Sequence, residues 1–367
     1  MKKILLLIMV VFSMSSCNQS PQTINQQGQS VKQVDISTDA PFKMQLPINS
    51  SPIRGITVKS DTYFTLDNME LDLLDLSATK ISTDYYYQQG EILTAKDATN
   101  LLSHKLSDEA YQELLKTDSE AKNVGLNPQI TDDPNTNLNY VTTLLEQDFY
   151  QQSGDQKTIK AIGVGVGVDL SPHTTDSEFK PDMNKFLEHD GKIIANQIAE
   201  VVRSREGYDK LPIFFGFYQQ STNPVVPGAF IASGYLDTND QNIQKLVEVN
   251  QEYVPFLDEA GITKDLDVNN KVQTLKNDLN AYFGNNVNLS CVGFYNNNKL
   301  TKINISVIFP TVSKIEGNAI INFIEKELKG PVNINAYTTV EVVSSSGEAI
   351  ASLTKNGSTI NKVVNKG

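Results

Sequence analysis

Between residues 159 and 170 the chain reads IKAIGVGVGVDL, uncharged through its middle with glycine and valine alternating. That texture predicts a buried strand. Ile193, Ile194, Ile198, Val201 and Val202 then recur at helical spacing and stop near Gly207, which predicts a helix. PIFFGFYQQ (212–220) and VVPGAFIASGYL (225–236) predict two more buried strands. A strand, a long crossover helix and a second strand are compatible with a parallel pair.

Upstream, residues 35–80 read as short extended pieces with turns at Pro41, Pro47 and Pro52. Thr94, with Asp97 three positions on, predicts a helix start, and Leu101, Leu102 and Leu106 follow at helical spacing. Ser107-Asp-Glu109 restarts the pattern toward Leu114 and Leu115. In LNYVTTLLEQDFY (138–150), Leu138, Val141, Leu145 and Phe149 share one helical face, so a helix is expected there too.

Downstream, helices are expected near 239–250 and 264–283. NVNLSCVGFY (286–295) and KLTKINISVIF (299–309), joined by a short Asn turn, predict a hairpin. SKIEGNAIINFIEKEL (313–328) is an amphipathic helix, VNINAYTTVEVV (332–343) a strand, and Ser346-Gly347 the turn of a terminal hairpin. Helices and hairpins mixed in this way predict an α+β fold, with two mixed α/β parts following a signal peptide and a disordered tether. The parts are an N-terminal domain over 35–236 and a C-terminal domain over 237–367.

The first residues, MKKILLLIMVVFSMSSC, follow a different rule. The apolar run Ile4–Phe12 extends only about 14 Å as a helix, well short of the roughly 20 residues that cross a bilayer. Preceded by Lys2 and Lys3, it fits the apolar core of a signal peptide. Met14-Ser15-Ser16-Cys17 resembles the lipobox of bacterial lipoproteins. The resemblance implies a signal peptide over 1–16, a cut before Cys17, and a diacylglyceryl lipid on that cysteine. The alternative is an ordinary secretory signal with an incidental cysteine. Residues 18–34 are rich in Asn, Gln and Ser, too polar to offset their conformational entropy by burial, so 17–34 is expected to be a lipidated cysteine and flexible tether.

Composition narrows the partners. A net charge of -12 over 367 residues argues against nucleic acid and against electrostatic adhesion to anionic lipid. Membrane attachment therefore falls to the acyl chains, and two chains make a stable anchor. The expected place is the extracellular face of the cell membrane. With Cys17 lipidated, Cys291 is the one cysteine left, so no intramolecular disulfide forms, and its strand-like context suits a small buried hydrophobe.

Candidate chemistry is sparse. In GVGVGV (163–168) the glycines alternate within the strand, unlike a dinucleotide-binding G-x-G-x-x-G, and all point to one face where a helix or another backbone packs closely. His104, His173 and His189 fall in no metal-ligand spacing; His173 lies just past the buried strand, where α/β proteins often place functional groups, but a surface-loop histidine is the favoured reading. Asp182, Glu188 and Asp190 precede a helix, where carboxylates suit its dipole. Tyr85-Tyr86-Tyr87 reads either as an aromatic patch for a glycan or a partner, or as a strand with alternate rings buried. No nucleophile elbow is present. No enzyme and no cofactor beyond the covalent lipid at Cys17 are expected.

Gly125-Leu-Asn-Pro128, LLEQDFY (144–150), IGVGVGVDL (162–170) and above all PIFFGFYQQSTNPVVPGAFIASGYL (212–236) resemble the CamS family of lipoproteins, sex-pheromone precursors of low-GC Gram-positive bacteria. The resemblance runs over roughly residues 40–345. It implies that the pheromone lies at the end of the signal peptide, which here is Val10, Val11, Phe12, Ser13, Met14, Ser15 and Ser16. Release then takes two cuts, one by signal peptidase II before Cys17 and one by an intramembrane protease within the apolar run. Three readings stay open: a precursor whose signal fragment acts in conjugation, an extracellular binding module for a small ligand, peptide or cell-wall glycan, and an enzyme, the least supported.

Overall fold

The computed structural model describes residues 41–46, 48–58, 65–129, 139–154, 156–170, 183–284, 287–309 and 313–364, with the backbone of three short strands before them. Val10 to Cys17, His173 and Asp182 lie outside the described residues. The fold is mixed α and β, built on two large sheets.

The short strands are β1 (Thr23–Ile24) and β2 (Ser30–Val31), which pair with each other, and β3 (Val34–Ile36). β3 opens an eight-stranded sheet that also contains β4 (Lys43–Leu46), β5 (Tyr86–Gln89), β6 (Val141–Ser153), β7 (Gln156–Val168), β8 (Ile213–Gln219), β9 (Ala229–Leu236) and β10 (Leu246–Glu248). Neighbours in space are neighbours in sequence, and only β4/β5 and β7/β8 run parallel. Helices α1 (Leu66–Ser77), α2 (Ala95–Leu101) and α3 (Asp108–Thr117) precede β6, whereas α4 (Met183–Lys185), a π-helical turn at Phe186–Asp190 and α5 (Gly191–Arg203) cross from β7 to β8. The expected parallel pair around a crossover helix is therefore present.

The central strands are buried on both faces. On one side α2 and α5 cover Leu144, Val164, Phe215 and Phe217, and on the other α1 covers Leu145, Phe149, Phe214 and Tyr218. The glycines of β7 explain how α1 approaches. A Cβ on Gly165 would lie 2.6 Å from Met69 Cε and 3.2 Å from Leu73 Cδ2, and one on Gly163 would lie 3.0 Å from Ser77 Oγ. The glycine face is the bed of α1, as the alternation implies.

The second sheet carries the rest of the chain in the order β11 (Gln251–Pro255), β12 (Asn288–Asn296), β13 (Lys299–Phe309), β14 (Tyr337–Ser344), β15 (Ala349–Asn356) and β16 (Thr359–Val364). Helices α6 (Glu259–Lys264), α7 (Leu266–Phe283) and α8 (Lys314–Lys329) are interleaved. The β12–β13 hairpin turns at Asn297 and Asn298, both with positive φ, a conformation asparagine tolerates better than most residues. A second core forms between this sheet and α7 and α8, joining Val272, Leu275, Ile305, Ile321, Ile324 and Val340.

Three expectations are corrected. Residues 141–153 form strand β6 rather than a helix: a strand covered on both faces loses its period of two, and its apolar positions happen to fit a helical template. Near 239–250 the chain makes β10 and not a helix, with Ile243 and Leu246 filling the space above Gly234. Within 35–80, residues 66–77 are the helix α1 rather than extended chain.

Candidate functional site

Helix α1 starts after Thr65, carries Asp67 in its first turn, and buries Met69, Leu73 and Leu74 on the first sheet. Its polar residues face several ways. Arg54 pairs with Glu70 and, at 3.0 Å, with Asp67; Tyr87 donates its hydroxyl to Glu70. Asp72 is only 3% exposed and points to the second sheet, accepting a hydrogen bond from the Tyr253 hydroxyl on β11 at 2.8 Å. Lys302 Nζ on β13 lies 2.9 Å from Asp75 and 3.9 Å from Asp72, so the same cation serves both carboxylates. Burial pushes the Asp72 carboxyl up to about 6, with the Tyr253 hydrogen bond and the Lys302 charge acting in the opposite direction.

Beside this contact lies a groove of about 840 Å³, lined by residues of both sheets and of α1. Met44, Leu71, Leu74 and Tyr87 form an apolar wall on the side of the first sheet, and Leu71 is 57% exposed although Asp72, Leu73 and Leu74 after it are buried. Lys302, Tyr337, Thr354, Asn356 and Asn361 form a polar wall on the side of the second. The three charged residues along the groove are already paired, Lys302 with Asp75 and Glu70 with Arg54. A groove with one apolar and one amide- and hydroxyl-bearing wall, lying between two packed units, has the composition of a site for an uncharged amphipathic ligand.

A second cluster lies inside the first sheet. Glu146 and Asp148 are two residues apart on β6 and so share one face, with Asp148 opposite Gln88 of β5. Both are fully buried. Glu146 accepts from the amides of Ile92 and Leu93 at 2.9 and 2.8 Å, and Asp148 accepts from Glu91 N at 3.0 Å and Gln88 Nε2 at 3.2 Å. Burial raises both groups above their ordinary range, and the nearness of Asp148 raises Glu146 further. The pair fastens the 88–93 loop to the sheet. Gly90 belongs to that arrangement, because a Cβ there would overlap the Glu146 side chain at 2.2 Å.

The residues singled out from the sequence are scattered. Tyr87 is buried under α1 and Tyr86 stacks on Tyr150 at 5.5 Å, so these two tyrosines lie on a strand with their rings engaged, and Tyr85 just precedes it. His104 Nδ1 lies 2.6 Å from the Pro128 carbonyl, and His189 Nδ1 lies 2.7 Å from Asp190 Oδ1. Cys291 is buried. Among the described residues no three His, Cys, Asp or Glu side chains are grouped to hold a metal, and no helix is long and apolar enough to cross a membrane. Sequence reasoning missed Asp72 and the Glu146–Asp148 pair, because each sits on an element assigned to another class. The available signal for α1 was Met69 and Leu73 at i, i+4 behind an acid in the first turn.

A family model described as the CamS sex pheromone cAM373 precursor matches residues 48–359. No curated protein matches the chain. Among solved structures, the C-terminal domain of the sex pheromone staph-cAM373 precursor from Staphylococcus aureus is 18% identical, with a TM-score of 0.67 over 83% of this chain and 97% of that one. The sex pheromone precursor from Lactobacillus salivarius subsp. salivarius is 17% identical, with a TM-score of 0.75 over 91% of this chain and 99% of that one. Both share the fold described above. With the family match running over most of its length, the chain belongs to the CamS sex pheromone cAM373 precursor family.

Proposed function

We propose that this chain is a membrane-anchored lipoprotein on the extracellular face of the cell, and that the last seven residues of its signal peptide, Val10 to Ser16, are released as a peptide pheromone for conjugation. The observation that carries this reading is the order of the N-terminus, in which a short apolar run and Met14-Ser15-Ser16 lead into Cys17, in a chain of a pheromone-precursor family. Signal peptidase II cuts before the lipidated cysteine, and a second cut within the apolar run frees an uncharged heptapeptide. Two acyl chains on Cys17 hold the rest.

Mass spectrometry of culture supernatant tests the proposal. VVFSMSS is expected from cells expressing the parent chain and is lost in a Cys17→Ala strain. Only longer or randomly trimmed fragments would overturn it.

The groove between the sheets favours a second reading, in which the folded body is an extracellular binding module rather than an enzyme. A ligand that binds only the native state raises its melting temperature, so thermal shifts across ligand classes test this independently of the peptide.

A further inference from the structure

Helices α7 and α8 cover one face of the second sheet, while on the other α1 reaches Tyr253 and Lys302 and leaves the stretch toward β16 open. This other face is ordered by register into rows that run across the strands. One row joins Asn304, Thr339, Thr354 and Asn361 on four successive strands, β13 to β16. Alongside it Lys302 stands opposite Tyr337, and Asn356 opposite Thr359. Between β14 and β15 the first row is fixed directly by Thr339 opposite Thr354. A third row sets Ser290, Ser306, Glu341, Ser352 and the exposed Val363 side by side. All of these residues are exposed or half-buried, and within the first row Thr339 Oγ1 donates to Asn304 Oδ1 at 2.6 Å.

The face is nearly free of charge in a protein whose charged residues make up 20% of the chain. Glu341 and Lys302 are its two charges within these rows, and Lys302 is paired with Asp75. A merely solvated strand face is ordinarily kept soluble by lysine and glutamate, so short hydroxyls and amides here point to a ligand that offers hydroxyls and amides in return. The lack of free cations, within a net charge of -12, disfavours a polyanion.

Spacing defines the ligand further. Adjacent strands lie about 4.8 Å apart, so each row offers a hydrogen-bonding side chain at about that interval and spans about 14 Å over four strands. That step is close to the length of one pyranose unit in an extended β-linked glycan. The first two rows run into the groove, where Thr354, Asn356 and Asn361 meet the Tyr337 ring and, opposite, the apolar wall of Met44, Leu71 and Leu74. A sugar ring has an apolar C–H face and a polar rim, and an acetamido group adds a methyl and an amide, which match the two walls.

We infer that the open face of the second sheet and the adjoining groove bind a neutral, extended, β-linked oligosaccharide bearing acetamido groups. This deepens the binding-module reading and does not depend on the pheromone. The probe is N-acetylchitohexaose, titrated into the full chain in detergent. Tyrosine fluorescence reports binding cleanly because the chain has no tryptophan. Saturable binding is expected, weakened at least tenfold by T354A/N361A with no change in melting temperature. Both positions face outward, so the variant should fold; N304A, on the far side of the row, provides a second variant with the same expected direction. Absence of saturation, or unchanged affinity in the folded variants, overturns the inference. Equal affinity for cellohexaose, which lacks acetamido groups, or for an anionic hyaluronan hexamer, overturns the stated ligand class. If no glycan binds but a peptide raises the melting temperature, the glycan assignment fails while the binding-module reading stands.

Discussion

The Tyr253 hydroxyl on β11 reaches the Asp72 carboxylate on α1 at 2.8 Å, tying the second sheet to the helix that covers the first. Asn68 Nδ2 approaches the same hydroxyl at 3.4 Å, and the Tyr253 ring packs on Phe294 with centroids 4.7 Å apart. The contact is polar at its centre and aromatic at its edge.

That placement sets a pH dependence. The folded-state carboxyl of Asp72, at about 6, lies above its ordinary value of 3.8. An acid raised on folding contributes stability that is present at low pH and lost as pH rises through the folded value. The chain is therefore expected to gain about 1 kcal/mol from this group between pH 7.5 and pH 5. Asp72→Asn, which keeps an oxygen for Tyr253, should flatten that part of a urea-denaturation profile; a variant as steep as the parent would contradict the assignment.

Gly165 has no room for a side chain. A Cβ there meets Met69 Cε at 2.6 Å, and a valine adds two more methyls toward Leu73. Gly165→Val is expected to cost about 2–3 kcal/mol by overpacking. Adding Met69→Ala should recover part of that loss, whereas simple additivity of the two changes would show that they do not share the space.

Glu146→Ala removes the acceptor for two buried amides, Ile92 N and Leu93 N, and leaves Asp148 without its carboxyl neighbour. About 3 kcal/mol of destabilisation is expected, since each orphaned donor costs about 1–3 kcal/mol. Asp148→Asn still offers an oxygen and adds an N–H toward Glu146, so it should be markedly milder. Equal losses in the two variants would argue against the two amides as the main source of the Glu146 contribution.

Cys291 is 2% exposed and burial pushes its thiol well above the ordinary value. In a Cys17→Ala background it is the sole cysteine. A thiol reagent is expected to label it not at all in native buffer and stoichiometrically in concentrated urea. Rapid native labelling would place the residue at the surface.

Much of this fold was legible where one period dominates. The helices at 191–203, 266–283 and 314–329 show their apolar stripe, and Ser313 with Glu316 forms the capping box that starts the last of them. The glycine-valine strand and its helix-bearing face were also readable, because only close packing explains a row of glycines in a buried strand. Strand β6 was not, since burial on both faces removes the alternation that marks a strand. Helix α1 was hidden by Asp67, Glu70, Asp72 and Asp75, which look like solvated loop until their partners, Arg54, Tyr253 and Lys302, are brought in from distant segments. The groove depends on the second sheet lying against that helix, a relation between residues some 230 positions apart, as between Asp75 and Lys302. Local pattern carries no trace of it.

Because α1 beds on the glycines of β7 with one side and holds Tyr253 and Lys302 with another, it acts as a common wedge for both halves. Prising the groove open would pull on the same helix that seals the first core. Tension between the two halves would thus load one twelve-residue segment on which both depend.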